Sequence, residues 1–381
     1  MKPDSQLRVV HVFPDPARLS CGPCNAIKAF MACQLEHGLD VLGLSQPGEG
    51  ISADHTAAAS ELPILEATLD QLPGLAREQV LAGRTVFHFH GFYPWTDALA
   101  RQLHQAKVPY VFTSHGQLHF HSPLHAFKKW VYLNLLNPFL RRAGGVHFLT
   151  QREQGRSRFI LPAWRKPVLV QPNLAYLANG KAIPATSRQL LDLPAEAFVF
   201  GYLGRLDIQH KGLDILMSAF AQVVRQVPAR LIFIGPDVAA GQERLLAQAQ
   251  ALGCAAQVKF LGSQVGAAKW GYLKMLDGFV SPSRWEACSI AQAEAIGLGV
   301  PTIVSREINL AGEMAAQGAA LVADLETSAL ANAMLRLARE PALRQNLTQA
   351  GAAWVDHEFS PVNAGPRFVK FYRSVLANAG P

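Results

Sequence analysis

Gly278-Phe-Val-Ser-Pro-Ser-Arg-Trp-Glu286-Ala-Cys-Ser-Ile-Ala-Gln-Ala-Glu294-Ala-Ile-Gly-Leu-Gly-Val-Pro301 reads as one repeat of a parallel α/β sheet. Gly278-Phe-Val-Ser281 is short and apolar, as a strand buried on both faces should be. Ser289 then offers a helix start, Ser289-x-x-Gln292 has the spacing of a capping box, and Gly297 or Gly299 supplies a stop before the next strand at Pro301–Val304. Glu286 therefore hangs from a loop at the carboxyl end of a strand, while Glu294 sits inside the helix. Between them, the unpaired amides of Ile290 and Ala291 form an anion site. Phosphate at a helix mouth, flanked by two carboxylates that can accept from paired hydroxyls, suits a sugar nucleotide.

The same rhythm extends in both directions. Upstream, strands are expected at Phe198–Leu203, Arg230–Ile234 and Val258–Leu261, and downstream at Ala319–Val322, with helices between most of them. The first half repeats the alternation with strands at Arg8–Phe13, Asp40–Leu44, Thr85–His90, Pro109–Thr113, Gly145–Leu149 and Pro167–Asn173. A helix is expected from about Pro23 to His37, stopped by Gly38, and a long helical stretch from Leu124 to Ala143. Two successive series of this kind predict an α/β protein of two Rossmann-like doubly wound parallel sheets, with ligands in a cleft between domains. The expected division is 1–177, a linker at 178–195, a second domain at 196–360, and a C-terminal helix at 361–381 that packs back on the first domain.

Composition agrees with a folded two-domain chain: 381 residues, half of them hydrophobic and 17% charged. No apolar run reaches membrane-span length and no signal-peptide core opens the chain, so the expected location is the cytoplasm. A net charge of +7 favours anionic partners, but no basic run interleaved with aromatics points to nucleic acid. Five cysteines, sparse and odd in number, argue against a disulfide framework.

Arg205, in Gly201-Tyr-Leu-Gly204-Arg205-Leu-Asp207-Ile-Gln-His-Lys211-Gly212, follows a buried strand, and Lys211 precedes a helix. Two cations on one loop at that edge match a diphosphate and could stabilise it as a leaving group. With Phe260-Leu-Gly262, Ser281-Pro-Ser, the two glutamates and Gly299-Val-Pro301, the chain resembles the retaining GT-B glycosyltransferases. Within them it resembles the large bacterial group of lipopolysaccharide and exopolysaccharide hexosyltransferases. The resemblance runs through residues 196 to 360 and more loosely through the first domain.

The resemblance implies a role for each matching position. Arg205 and Lys211 would neutralise the donor diphosphate, and the amides around Ser289 and Ile290 would hold its oxygens. Glu286 would contact hydroxyls of the transferred sugar, and Glu294 the ribose. His115, in Val111-Phe-Thr-Ser-His115-Gly116, matches a strand-end histidine beside the reacting carbon. Gly22 matches a glycine-rich turn whose amide meets the diphosphate, although Cys21 departs from that pattern. The implied donor is a UDP- or GDP-sugar, the acceptor a saccharide or lipid-linked saccharide, and no cofactor or metal is called for.

Other motifs support other readings. Cys21-Gly-Pro-Cys24 at a helix start is also the thioredoxin motif, which makes a thiol-disulfide oxidoreductase the alternative from another class and a Cys21–Cys24 disulfide a conceivable switch. A sugar-nucleotide epimerase would share the whole architecture. In Thr85-Val-Phe-His88-Phe-His90-Gly91, alternation puts His88 and His90 on one face. His119, His121 and His125 fit no familiar zinc spacing. Ala126-Phe-Lys128-Lys129-Trp-Val-Tyr-Leu, broken later at Pro138, reads either as a core helix or as a surface that touches anionic membrane at the inner face.

Overall fold

A computed structural model describes residues 7–13, 22–45, 62–66, 71–80, 84–91, 93–120, 122–133, 139–161 and 164–379. The chain divides into two compact units, Met1–Leu174 with Glu358–Pro381, and Ala175–His357.

The first unit begins with β1 (Arg8–Phe13), α1 (Gly22–Glu36), β2 (Asp40–Ser45), β3 (Ile64–Glu66) and α2 (Leu72–Glu78). It continues with β4 (Thr85–His90), α3 (Pro94–Gln105), β5 (Tyr110–Thr113), α4 (Pro123–Val131) and α5 (Phe139–Arg142). β6 (Gly145–Phe148), α6 (Gln151–Ser157) and β7 (Val168–Val170) complete its sheet, in the order β3-β2-β1-β4-β5-β6-β7. Every pairing is parallel. Strands such as Val-Val-His-Val-Phe13 are buried on both faces, which is why they read as apolar runs rather than alternations. Phe87, Phe89, Tyr110, Phe112 and Phe139 anchor the apolar core on one side.

The second unit carries α7 (Ala178–Ala182), β8 (Phe198–Leu203), α8 (Ile208–Lys211), α9 (Leu213–Val223), β9 (Ala229–Ile234), α10 (Gly241–Ala251) and β10 (Val258–Phe260). Then come α11 (Gly266–Met275), β11 (Gly278–Ser281), α12 (Ile290–Gly297), β12 (Thr302–Ser305), α13 (Ala311–Ala316) and β13 (Leu321–Ala323). Helices α14 (Thr327–Arg339) and α15 (Pro341–Glu358) follow. Its parallel sheet runs β10-β9-β8-β11-β12-β13. The last helix of the chain, α16 (Pro361–Ala379), lies in the first unit and buries Phe368, Phe371, Tyr372 and Val375.

Strand order reverses between β1 and β4 in one sheet and between β8 and β11 in the other, and the crevice beyond such a reversal is where doubly wound sheets take ligands. The expected fold class, two Rossmann-like parallel sheets, is what the chain forms. Some local expectations need correction. Within the expected helical stretch Leu124–Ala143 the described helices are α4 and α5, and residues 134–138, Pro138 included, lie outside the described residues. Residues 178–195 are structured rather than a bare linker. Lys274 Nζ donates to the carbonyls of Ile183 (2.6 Å) and Lys181 (3.0 Å), and Arg188 pairs with Asp277 (2.7 Å). Among the described residues no helix is long and apolar enough to cross a membrane.

Candidate functional site

In the second unit, the loops after β8 and β11 are stitched together. Arg284 holds Asp214 through two bonds (2.9 and 2.7 Å) and also donates to the Gln209 carbonyl (2.7 Å). His210 Nε2 donates to the carbonyl of Trp285 (2.8 Å), and Arg284 N to that of His210 (2.9 Å). Gly212, at φ +65°, lets the two loops touch: a Cβ there would be strained and would collide with the Pro282 carbonyl. Lys211 is therefore the last residue of a short helical turn rather than part of an open loop.

This stitching brings Lys211 Nζ onto Glu286 Oε1, and Ser283 Oγ donates to the same oxygen at 3.1 Å. Both charged side chains are largely covered, 14% and 13% exposed, so the pair is more than a screened surface contact. Arg205 is exposed at the end of β8, where its carbonyl accepts from the Tyr202 hydroxyl (2.9 Å). Ser289 is the N-cap residue of α12 and Ile290 its first helical residue. The expected capping box does not form: Ser289 makes no side-chain cap, and Gln292 Nε2 donates instead to Ser281 Oγ (2.8 Å), pinning the helix to the end of β11.

Glu294 is buried on α12 and accepts from Lys269 Nζ at 2.7 Å. Burial raises its pKa, and the Lys269 cation partly offsets that. Lys269 also stands 4.0 Å over the Trp270 ring. It lies on α11, 25 residues before its partner, and nothing in the local sequence marks it.

In the first unit, His115 follows β5 in a left-handed conformation (φ +45°), with Gly116 next at φ +86°. For a non-glycine residue this is uncommon and needs support from its surroundings. The buried Glu153 supplies it, accepting from Ser114 Oγ and from the Leu149 amide (2.8 Å), while Gly116 N donates to Ser114 Oγ (3.2 Å). Burial raises the Glu153 carboxyl pKa, and these bonds oppose the rise.

His115 does not stand alone. Its Nε2 lies 2.9 Å from His90 Nδ1, and His90 Nε2 lies 2.7 Å from His11 Nδ1. The sheet register explains the cluster: His11 is level with His88, and His90 with Thr113, which is level with His147. His88 and His90 do share a face, stacked with centroids 4.3 Å apart, and both are buried. Burial pushes His11 and His147 down to about 4 and His115 to about 3, and holds His88 and His90 well below the ordinary range. Nitrogens of His11, His88 and His90 lie within 4.8 Å of one another, close enough for a metal ion. Yet every ring nitrogen of the three is already engaged in a hydrogen bond.

Gly22 is the first residue of α1, and the turn before it, Cys21 included, lies outside the described residues, as does His121. Cys24 is buried in α1. On α4, Leu124 and Phe127 are exposed, but Lys129 is not a solvated charge: its ammonium holds the carbonyls of Gln117 (2.7 Å) and His119.

Residues 185–354 match the family of glycosyl transferases group 1, and residues 10–173 match the glycosyl transferase 4-like domain. The first match lies within the second unit and the other within the first, so each unit is similar to a glycosyltransferase domain of its own. It is 31% identical over 198 residues to the lipopolysaccharide core biosynthesis glycosyltransferase LpsD of Rhizobium meliloti (strain 1021), covering 52% of this chain and 54% of that one. Over 178 residues it is 28% identical to the phosphatidyl-myo-inositol mannosyltransferase of Mycobacterium tuberculosis (strain ATCC 25618 / H37Rv), covering 45% and 46%. The chain thus spans about half the length of the curated relatives it matches. Anabaena Alr3699/HepE, solved in complex with UDP and glucose, superposes with a TM-score of 0.73 at 20% identity over 97% of this chain and 100% of that one, a likeness of fold.

Proposed function

We propose that the protein is a retaining glycosyltransferase that moves a hexose from a UDP- or GDP-sugar to a saccharide or lipid-linked saccharide in cell-surface polysaccharide assembly. The observation that carries this reading is the mouth of α12, with Glu286 held by Lys211 on one side and Glu294 held by Lys269 on the other. The relatives' names, a lipopolysaccharide core glycosyltransferase and a phosphatidyl-inositol mannosyltransferase, support the class of acceptor.

In this reading the donor diphosphate takes over Lys211 from Glu286 and gathers Arg205 and the amides at Ser289 and Ile290. Glu286, released, accepts from hydroxyls of the sugar, and Glu294 accepts from the ribose. Once Lys211 has turned from Glu286 to the phosphate, these charges stabilise the departing diphosphate where its negative charge grows. The acceptor attacks from the face the leaving group vacates, and a phosphate oxygen takes the acceptor proton. No step calls for a metal. The apolar, exposed side of α4 at Leu124 and Phe127 supplies a surface for peripheral contact with anionic membrane.

A thermal-shift screen of UDP- and GDP-hexoses, followed by NMR of the best donor incubated alone, tests the reading. A stabilising donor that is slowly hydrolysed without change of its sugar is expected. Conversion of the donor to its epimer, or no stabilisation by any sugar nucleotide, would refute it.

A further inference from the structure

The histidine cluster under the first sheet is one unbroken hydrogen-bond chain, and one end of it has a fixed polarity. His147 Nε2 lies 2.8 Å from the backbone carbonyl of Gln171, which can only accept. His147 must therefore donate from Nε2. Being neutral, it presents a bare Nδ1, which takes the proton of Thr113 Oγ1 (2.8 Å). With its proton committed, Thr113 can only accept from His88 Nε2 (2.6 Å). His88 Nδ1 is then bare and accepts from the Tyr372 hydroxyl (2.7 Å).

The direction carries through the helices that cover the sheet. Tyr372 on α16, its proton spent, accepts from Gln34 Nε2 on α1 (3.0 Å). That orients the Gln34 amide, so Oε1 faces His11 Nε2 (2.8 Å) and accepts from it. His11 Nδ1 accepts from His90 Nε2, and His90 Nδ1 accepts from His115 Nε2. At the far end, His115 Nδ1 is left as a lone pair.

We infer that this chain is a positioning device which holds His115 as the Nε2–H tautomer, so that Nδ1 serves as a hydrogen-bond acceptor for a ligand hydroxyl. A neutral acceptor of this kind selects a group that can donate, such as a sugar hydroxyl, and disfavours a phosphate oxygen. Burial of the five rings supports the neutral state that the chain requires. His11, Gln34, His88, Thr113, His147 and Tyr372 act only through His115. That the hydroxyl belongs to the donor sugar rests on the proposed function; the tautomer does not.

Long-range proton–nitrogen NMR of the full chain with 15N-labelled histidine reads each tautomer directly, without substrate. All five rings are expected to carry the proton on Nε2. A proton on Nδ1 of His115, mixed tautomers in the wild type, or one bound zinc per chain withdrawing these lone pairs would overturn the inference. Tyr372→Phe removes one hydroxyl and frees Gln34 to turn. His11, His90 and His115 should then become mixed while His88 and His147 stay as they were; five unchanged spectra would overturn the inference. In the same variant, turnover should fall about tenfold with donor KM nearly unchanged. Unchanged turnover with the shifted tautomers would separate the chain, which would stand, from the reaction role, which would fall.

Discussion

Beyond β11 and beyond β5 the two sheets present side chains of opposite electrical character. The second unit gathers full charges and satisfies them in pairs, Lys211 with Glu286 and Lys269 with Glu294. The first gathers histidines that burial keeps neutral, joined in one chain directly or through Thr113, Tyr372 and Gln34. An ion pair can exchange its partner: in the proposed function an incoming diphosphate would replace the carboxylate on Lys211 at little electrostatic cost. A directed chain of neutral bonds has no such freedom, because reversing one link reverses every other. The second unit is thus suited to binding and release, and the first to holding a single ring in a single state.

The largest effect expected from breaking this contrast is at Glu286. Glu286→Gln keeps its shape but loses the charge, and turnover should drop about 10³-fold while donor affinity stays within about threefold. Steady-state kinetics that show turnover within about tenfold of wild type would make the Lys211 pair a structural contact only.

Acid should separate the two units next. Between pH 6.5 and about 4 an unfolded chain takes up protons that buried His11 and His147 refuse, so the first unit loses stability as pH falls through that window. The loss is on the order of 3 kcal/mol per histidine. Glu294, with its pKa raised, has the opposite sign: its native state binds a proton before the unfolded chain does, and acid relieves it. Hydrogen exchange at pH 7 and pH 5 should show protection falling in β1, β4 and β5 before α12. Equal loss in both sheets would contradict the contrast.

Much of this was legible in the sequence, and unevenly so. Apolar runs between turn residues gave nearly every central strand, since strands buried on both faces need no alternation to be seen. Lys211 and Glu286 stood out as charges in the segments that follow buried strands, and Glu294 as a carboxylate flanked by apolar residues in a helix. Their partners were not all visible: Lys269 reaches Glu294 from another helix, and only packing joins them. His11 and His147 carried a usable signal, a polar residue inside an apolar strand, as in Val-Val-His11-Val-Phe and Gly-Val-His147-Phe. What the sequence could not disclose is that β1, β4, β5 and β6 gather them on neighbouring rows of the sheet, His11 level with His88 and His147 level with Thr113 and His90, or that Tyr372, 338 residues from Gln34, closes the chain. The capping box failed for a related reason, because Gln292 found a better partner at the end of β11.

Nucleotide binding is the most direct test of the division of labour at α12. Titrating UDP and GDP calorimetrically into wild type, Glu294→Gln and His115→Ala isolates what Glu294 contributes from anything the sugar or the first unit adds. The expected result is binding of one nucleotide by the wild type, about tenfold or more weaker in Glu294→Gln and unchanged in His115→Ala. Equal affinity in wild type and Glu294→Gln would show that the buried carboxylate serves Lys269 and the fold, and not the ribose.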